Sequence, residues 1–202
     1  MTLKAKDIRK AKQSEWARRE RRRRVLMWSL WGGVALLVVG TILYLAWKQA
    51  QPIPRTGVDV PIQSADHIPV GATHEPYNSD PPTSGPHYAD PAQAGFYNEA
   101  PPDGMLVHSL EHGYIIISYN CSELAQAECD QLKSQISSAM QAAGTSPITG
   151  TPKLIATPRP TMDTQLALTS WGRLDKFDQF DRSRIVNFVK AFRDRAPEPS
   201  VP

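Results

Sequence analysis

The stretch Val25–Trp47, VLMWSLWGGVALLVVGTILYLAW, decides how the rest of the chain is read. It runs 23 residues without a charged side chain. As a helix it reaches roughly 34 Å, enough to cross a hydrocarbon core of about 30 Å with some tilt. Trp28 and Trp31 near one end, and Tyr44 and Trp47 near the other, suit the headgroup interface. A cleaved signal peptide is the rival reading, but its apolar core is normally about 7–15 residues. No small-x-small site follows Trp47, where the chain continues Lys48-Gln49-Ala50-Gln51. The segment reads as an uncleaved signal anchor and a transmembrane helix.

Charge divides at this segment. The total of 202 residues carries a formal +3, but residues 1–24 hold 11 Lys/Arg against 3 Asp/Glu, a net +8. The remaining residues hold 12 Lys/Arg against 17 Asp/Glu, a net −5. The run Arg18-Arg19-Glu20-Arg21-Arg22-Arg23-Arg24 abuts the apolar stretch, so the positive-inside rule places the N-terminus in the cytoplasm and residues 51–202 outside. The expected location is the cell membrane, single-pass, with the lipid bilayer as partner and anionic lipid favoured by the arginines. The acidic outer part excludes a uniformly basic nucleic-acid binder, and no nucleic-acid partner is expected. All 18 prolines lie after residue 51, which argues against an all-helical membrane bundle.

The outer part has two textures. Residues 48–63 look like a proline-containing tether between the 25–47 helix and a domain at 64–196, with 197–202 as a tail. Eleven prolines between Pro52 and Pro102 forbid long helices and predict loops wrapped on a scaffold. Regular structure follows residue 104. Tyr114–Tyr119 (YIIISY), Lys153–Thr157 (KLIAT) and Leu166–Trp171 (LALTSW) read as strands. Leu132, Ile136 and Met140 predict a helix over Asp130–Gln141, and Asp181 can cap a last helix carrying Ile185, Phe188, Val189 and Phe192. The order β-α-β-β-α predicts a small α+β domain. Asp175, Asp178 and Asp181 lack the glycine and glutamate of a calcium loop and read as a solvated approach to that helix.

Cys121 and Cys129 are the only cysteines. On one helix their Cα atoms would stand about 12 Å apart, beyond the roughly 7 Å a disulfide spans. A bridge therefore requires Ser122–Glu128 to loop back, with the helix starting near Asp130. An oxidising compartment favours that over free thiols. The spacing is neither a C-x-x-C redox motif nor a zinc ribbon.

All five histidines fall in the outer part: His67, His74, His87, His108 and His112. The densest string is Met105-Leu-Val-His108-Ser-Leu-Glu111-His112-Gly113. On a short helix from about Pro102 to Glu111, His108 and His112 stand one turn apart and can share a metal, with Met105 on the same side. Imidazole suits zinc and copper, and a thioether tilts the choice towards copper(I). His87 is the expected third ligand and His67 the next, while Glu111 orients an imidazole from behind. Met105 as core filler, and a histidine merely satisfied by its neighbours, are the bland alternatives; His74 reads as an ordinary exposed residue. His108-x-x-Glu111-His112 also matches the H-x-x-E-H of inverted zinc peptidases, with Glu111 as base, but Gly113 denies it a long helix. No nucleophile elbow or phosphate-cradling loop is present.

His67-Ile-Pro-Val-Gly71, Pro81-Pro-Thr-Ser-Gly-Pro-His87-Tyr88, Val107-His108-Ser-Leu-Glu111-His112-Gly113, Tyr119-Asn120-Cys121 and Ser170-Trp171-Gly172-Arg173 occur together and in order. Over about residues 64–196 this resembles the bacterial family catalogued as domain of unknown function 3105. The resemblance implies one N-terminal span and an outer domain, and directs attention to His67, His87, His108, Glu111 and His112. It implies no activity. Trp171 reads as a packed indole at a strand end. The expected function is a membrane-anchored extracytoplasmic metal-binding protein, copper ahead of zinc, in binding or handover rather than catalysis. The alternatives are a metal-free accessory subunit of a membrane protein complex and a zinc-dependent hydrolase.

Overall fold

The computed structural model describes residues 2–201, with side chains for Lys12 and from Glu15 onward. The chain divides into two units, residues 1–52 and 53–202. The first is one helix, α1 (Thr2–Gln49), whose Glu15–Gln49 part is long and apolar enough to span a membrane. Among its described side chains the large apolar ones, Leu36 and Leu37 included, are exposed.

The second unit is a mixed α/β domain. It contains β1 (Val58–Asp59), β2 (Gly95–Phe96), α2 (Asp103–Glu111), β3 (Ile115–Tyr119), α3 (Gln126–Ala143), β4 (Leu154–Pro158), β5 (Leu166–Ser170), β6 (Arg173–Phe177) and α4 (Arg182–Phe192). The sheet order is β1-β6-β5-β3-β4-β2. β3 is central, parallel to β4 and antiparallel to β5, and all five of its residues are buried. That explains an unbroken apolar run instead of an alternating one. Ile115, Ile117 and Tyr119 pack on one face with Leu132 and Ile136 of α3 and Ile185, Phe188 and Val189 of α4. Ile116 and Ile155 pack on the opposite face against Leu106 and Leu110 of α2. Each fully buried aliphatic side chain contributes roughly 1.5–3 kcal/mol. α2 is thus fixed flat on one side of the sheet, and it carries the densest histidine string.

Several expectations need revision. The strand ending at Gly172 is half of a hairpin: Trp171 and Gly172 form the turn, and Ser170 pairs with Arg173. β6 was missed because RLDKF carries three charges. Its Asp175 is not a solvated helix approach; it is buried and accepts two hydrogen bonds from the Arg184 guanidinium, at 2.9 and 2.5 Å. Asp181 does cap α4, accepting from Arg184 N at 3.0 Å. α3 begins at Gln126, four residues ahead of the expected start, because the Glu128 carboxylate accepts the Ala125 N–H at 3.0 Å and caps the first turn. Cys129 therefore lies on the helix and Cys121 off it, and the two form a disulfide with Cα atoms 5.5 Å apart.

The tether and tail also pack. β1 pairs with β6, and the Arg173 guanidinium donates to the carbonyls of Thr56 and Gly57. At the other end, in the segment read as a tail, Glu198 N donates to the Glu111 carbonyl of α2 at 3.0 Å.

Candidate metal centre

Two loops and one helix meet here. His67 and His87 are joined by a short parallel bridge, with Ile68 N donating to His87 O (2.8 Å) and His87 N donating to Asp66 O (3.0 Å). This sets their rings edge to face, centroids 4.9 Å apart. The His87 loop is held by the Tyr77 hydroxyl, which donates to Pro86 O at 2.9 Å. Burial raises the Tyr77 hydroxyl to a pKa of about 12, with the nearby Asp103 carboxylate adding to the shift. The third contributor, α2, offers His108 and Glu111 from its last turn, with His112 at the C-cap and Gly113 (φ +85°) turning the chain into β3.

One donor atom from each of His67, His87, His108 and Glu111 lies within 4.8 Å of all the others. His87 Nε2 is 3.0 Å, and His67 Nε2 3.9 Å, from Glu111 Oε2. His87, His108 and Glu111 are buried, while the His67 side chain is 53% exposed and gives the group a face to solvent.

Proton placement is decided by the backbone. His87 donates Nδ1–H to Gly85 O (2.8 Å), and His108 donates Nδ1–H to Tyr88 O (2.6 Å). Each Nδ1 is thereby committed to the backbone, which turns both Nε2 atoms towards the cluster; a neutral ring so held presents an Nε2 lone pair. His87 Nε2 then faces a carboxylate oxygen at 3.0 Å. Two acceptors at that distance require a cation between them, either a proton or a metal ion. Burial holds the pKa of His108 below the ordinary imidazole value, against the opposing pull of its hydrogen bond to Tyr88 O. Burial also lowers His112, with His108 adding to the effect. Neutral rings are what metal ligation needs.

The remaining sequence candidates fall as follows. His112 stands beside the group, its Nε2 3.0 Å from His108 Nε2, but it is not among the four that converge. Met105 packs in the apolar cluster with Leu106, Leu110 and Tyr114. The Glu111 carboxylate, expected to orient an imidazole, lies 3.0 Å from His87 Nε2 and is itself one of the four converging groups. His74 is exposed, and Trp171 packs edge-on to His87 at 6.4 Å. Two residues had no signal in the sequence. Lys153, fully buried, donates to His112 O (2.8 Å) and Pro199 O (2.7 Å), and Glu198 Oε2 lies 3.5 Å from His112 Nε2. A lone lysine at a strand start and a glutamate between prolines have no local pattern to betray them.

No curated protein and no solved structure matches the chain. The family described as "Protein of unknown function (DUF3105)" matches residues 69–202, a span that contains His87, His108, Glu111, both cysteines and every strand from β2 onward. On that match, covering well over half its length, the chain belongs to this family.

Proposed function

We propose that this chain is a single-pass, membrane-anchored protein whose outward-facing domain holds one divalent transition-metal ion through His67, His87, His108 and Glu111, in a binding or handover role. The observation that carries the reading is the convergence of one donor atom from each of these four residues within 4.8 Å of the others, with the Nδ1 atoms of His87 and His108 already committed to backbone carbonyls. Backbone carbonyls stand behind His87 and His108, the usual support of ligating imidazoles. Nitrogen and oxygen donors without sulfur suit copper(II) or zinc(II) and not copper(I), so the thioether argument for copper(I) does not carry over. Copper(II) stands first on the affinity order for such donors, and zinc(II) second.

A hydrolase reading needs Glu111 free as a base, whereas its carboxylate belongs to the donor group on a helix of nine residues. The test is metal analysis of the full chain in detergent after separate copper(II) and zinc(II) loading and desalting. Wild type should retain one ion per chain, and His87→Ala and Glu111→Ala should lose it, with His74→Ala unaffected. Wild type that retains neither ion sinks the proposal and leaves the metal-free accessory subunit in its place.

A further inference from the structure

His112 is held at one end only. The His108 Nε2 lone pair lies 3.0 Å from His112 Nε2, so the proton between them belongs to His112, which donates it. His112 Nδ1 is then left buried with no partner. The second contact of His112 Nε2 is Glu198 Oε2 at 3.5 Å, on a side chain 54% exposed. Glu198 belongs to the last segment of the chain, which returns to the site. Its N–H donates to Glu111 O at 3.0 Å, and the buried Lys153 ammonium ties Pro199 O to His112 O.

An ion bound by His108 takes the lone pair that now accepts the His112 N–H. A buried N–H left without an acceptor costs about as much as a lost hydrogen bond. The acceptor within reach is the Glu198 carboxylate. We propose that metal occupancy transfers the His112 Nε2–H from His108 to Glu198, clamping the segment Ala196–Val201 when the ion is in and loosening it when the ion leaves. His112 stays neutral throughout; only its acceptor changes. The inference rests on His108 being a ligand in the site proposed above. Linkage makes the effect reciprocal: whatever draws residues 196–201 away weakens the hold on the ion. A recipient protein that engages this segment thereby favours release of the ion it is to receive, which gives handover a physical route.

Amide hydrogen exchange on the full chain in detergent, with and without zinc(II) or copper(II), tests this. Loading should slow exchange at Glu198 and Val201 by about fivefold or more. Glu198→Ala should abolish the slowing at Val201 and weaken ion binding several-fold, and Glu198→Gln, which keeps a neutral acceptor, should restore part of both. The exposure of Glu198 makes misfolding of these variants a small concern. No slowing in a loaded wild type, or equal slowing at Val201 in Glu198→Ala, overturns the proposal. A wild type with no ion retained, read from the ion-to-chain ratio, removes the underlying site as well, so the two failures are told apart.

Discussion

The aromatic ring of Tyr77 lies directly over the α-carbon of Gly85: a Cβ built there would meet Tyr77 Cδ1 and Cε1 at 2.8 Å. Gly85 also sits at φ +133° and supplies the carbonyl that orients His87. One glycine therefore lets the ring close over the loop that aims a candidate ligand. Gly85→Ala should cost about 2–4 kcal/mol from backbone strain and overpacking together. Gly71→Ala, at φ +80° with nothing within 4 Å, should cost only about 1 kcal/mol. Denaturation of the two variants checks this, and equal losses would show that the Tyr77 contact is unimportant.

Acid should destabilise the metal-free domain. Burial depresses the pKa of His108 and His112, so below about pH 6.5 the unfolded chain binds more protons than the folded one. Their contribution is fully present above the unfolded value and is lost as pH falls through the depressed folded values. The chelator-treated chain should lose denaturant midpoint from pH 7 to pH 5, less steeply in His108→Ala/His112→Ala. A midpoint that rises on acidification contradicts the assignment.

Metal should act in the opposite direction. An ion that binds only the folded domain stabilises it by about 2.7 kcal/mol at a free concentration one hundred times its Kd. Thermal unfolding with and without copper(II) should show that gain, reversed by chelator and absent in His87→Ala. An equal shift in His87→Ala would place the ion elsewhere.

The Cys121–Cys129 bridge closes a short loop where β3 hands over to α3. Cys121→Ser/Cys129→Ser should lower stability by about 2–3 kcal/mol, the loop-closure value for so short a ring. The double variant should keep its ion, because the bridge follows the C-terminal end of β3 whereas α2 precedes its N-terminal end, about 13–17 Å away along the strand. Loss of both stability and ion would show the site coupled to the bridge.

Topology has its own measurement. A C-terminal tag on intact cells with any outer layer opened should be cleaved by added protease, and an N-terminal tag protected, as the arginines before Val25 require. The reverse pattern would move the histidine cluster to the cytoplasm and weaken the case for copper(II).

Much of the backbone was legible in the residue order, for local reasons. A 23-residue uncharged run has one economical solution in a bilayer, and the β-branched run at 115–117 can only be a buried strand. Asp181 before the Ile185, Phe188 and Val189 stripe announces α4, and Pro102 with Gly113 brackets α2. Period and cap are properties of a few neighbouring residues, so they survive without knowledge of the rest. β6 escaped because its three charges are satisfied by partners outside the strand: Asp175 by Arg184, Lys176 by Asp163, and Arg173 by the distant segment at 56–59.

The sequence by itself determined that a segment long and apolar enough to span a membrane precedes an α+β domain, that two cysteines are spaced to bridge only off a common helix, and which five histidines are at hand. Only the tertiary structure decided which of them meet. His87 and Glu111 are 24 residues apart and touch because a loop bridge carries His67 and His87 to the last turn of α2. The same packing sends Met105 into the apolar cluster, though its helical spacing allowed either face. It also brings Glu198 back beside His112. Helical period fixes directions within one element. Convergence of ring nitrogens depends on backbone hydrogen bonds between distant segments, and those follow from the folded sheet alone.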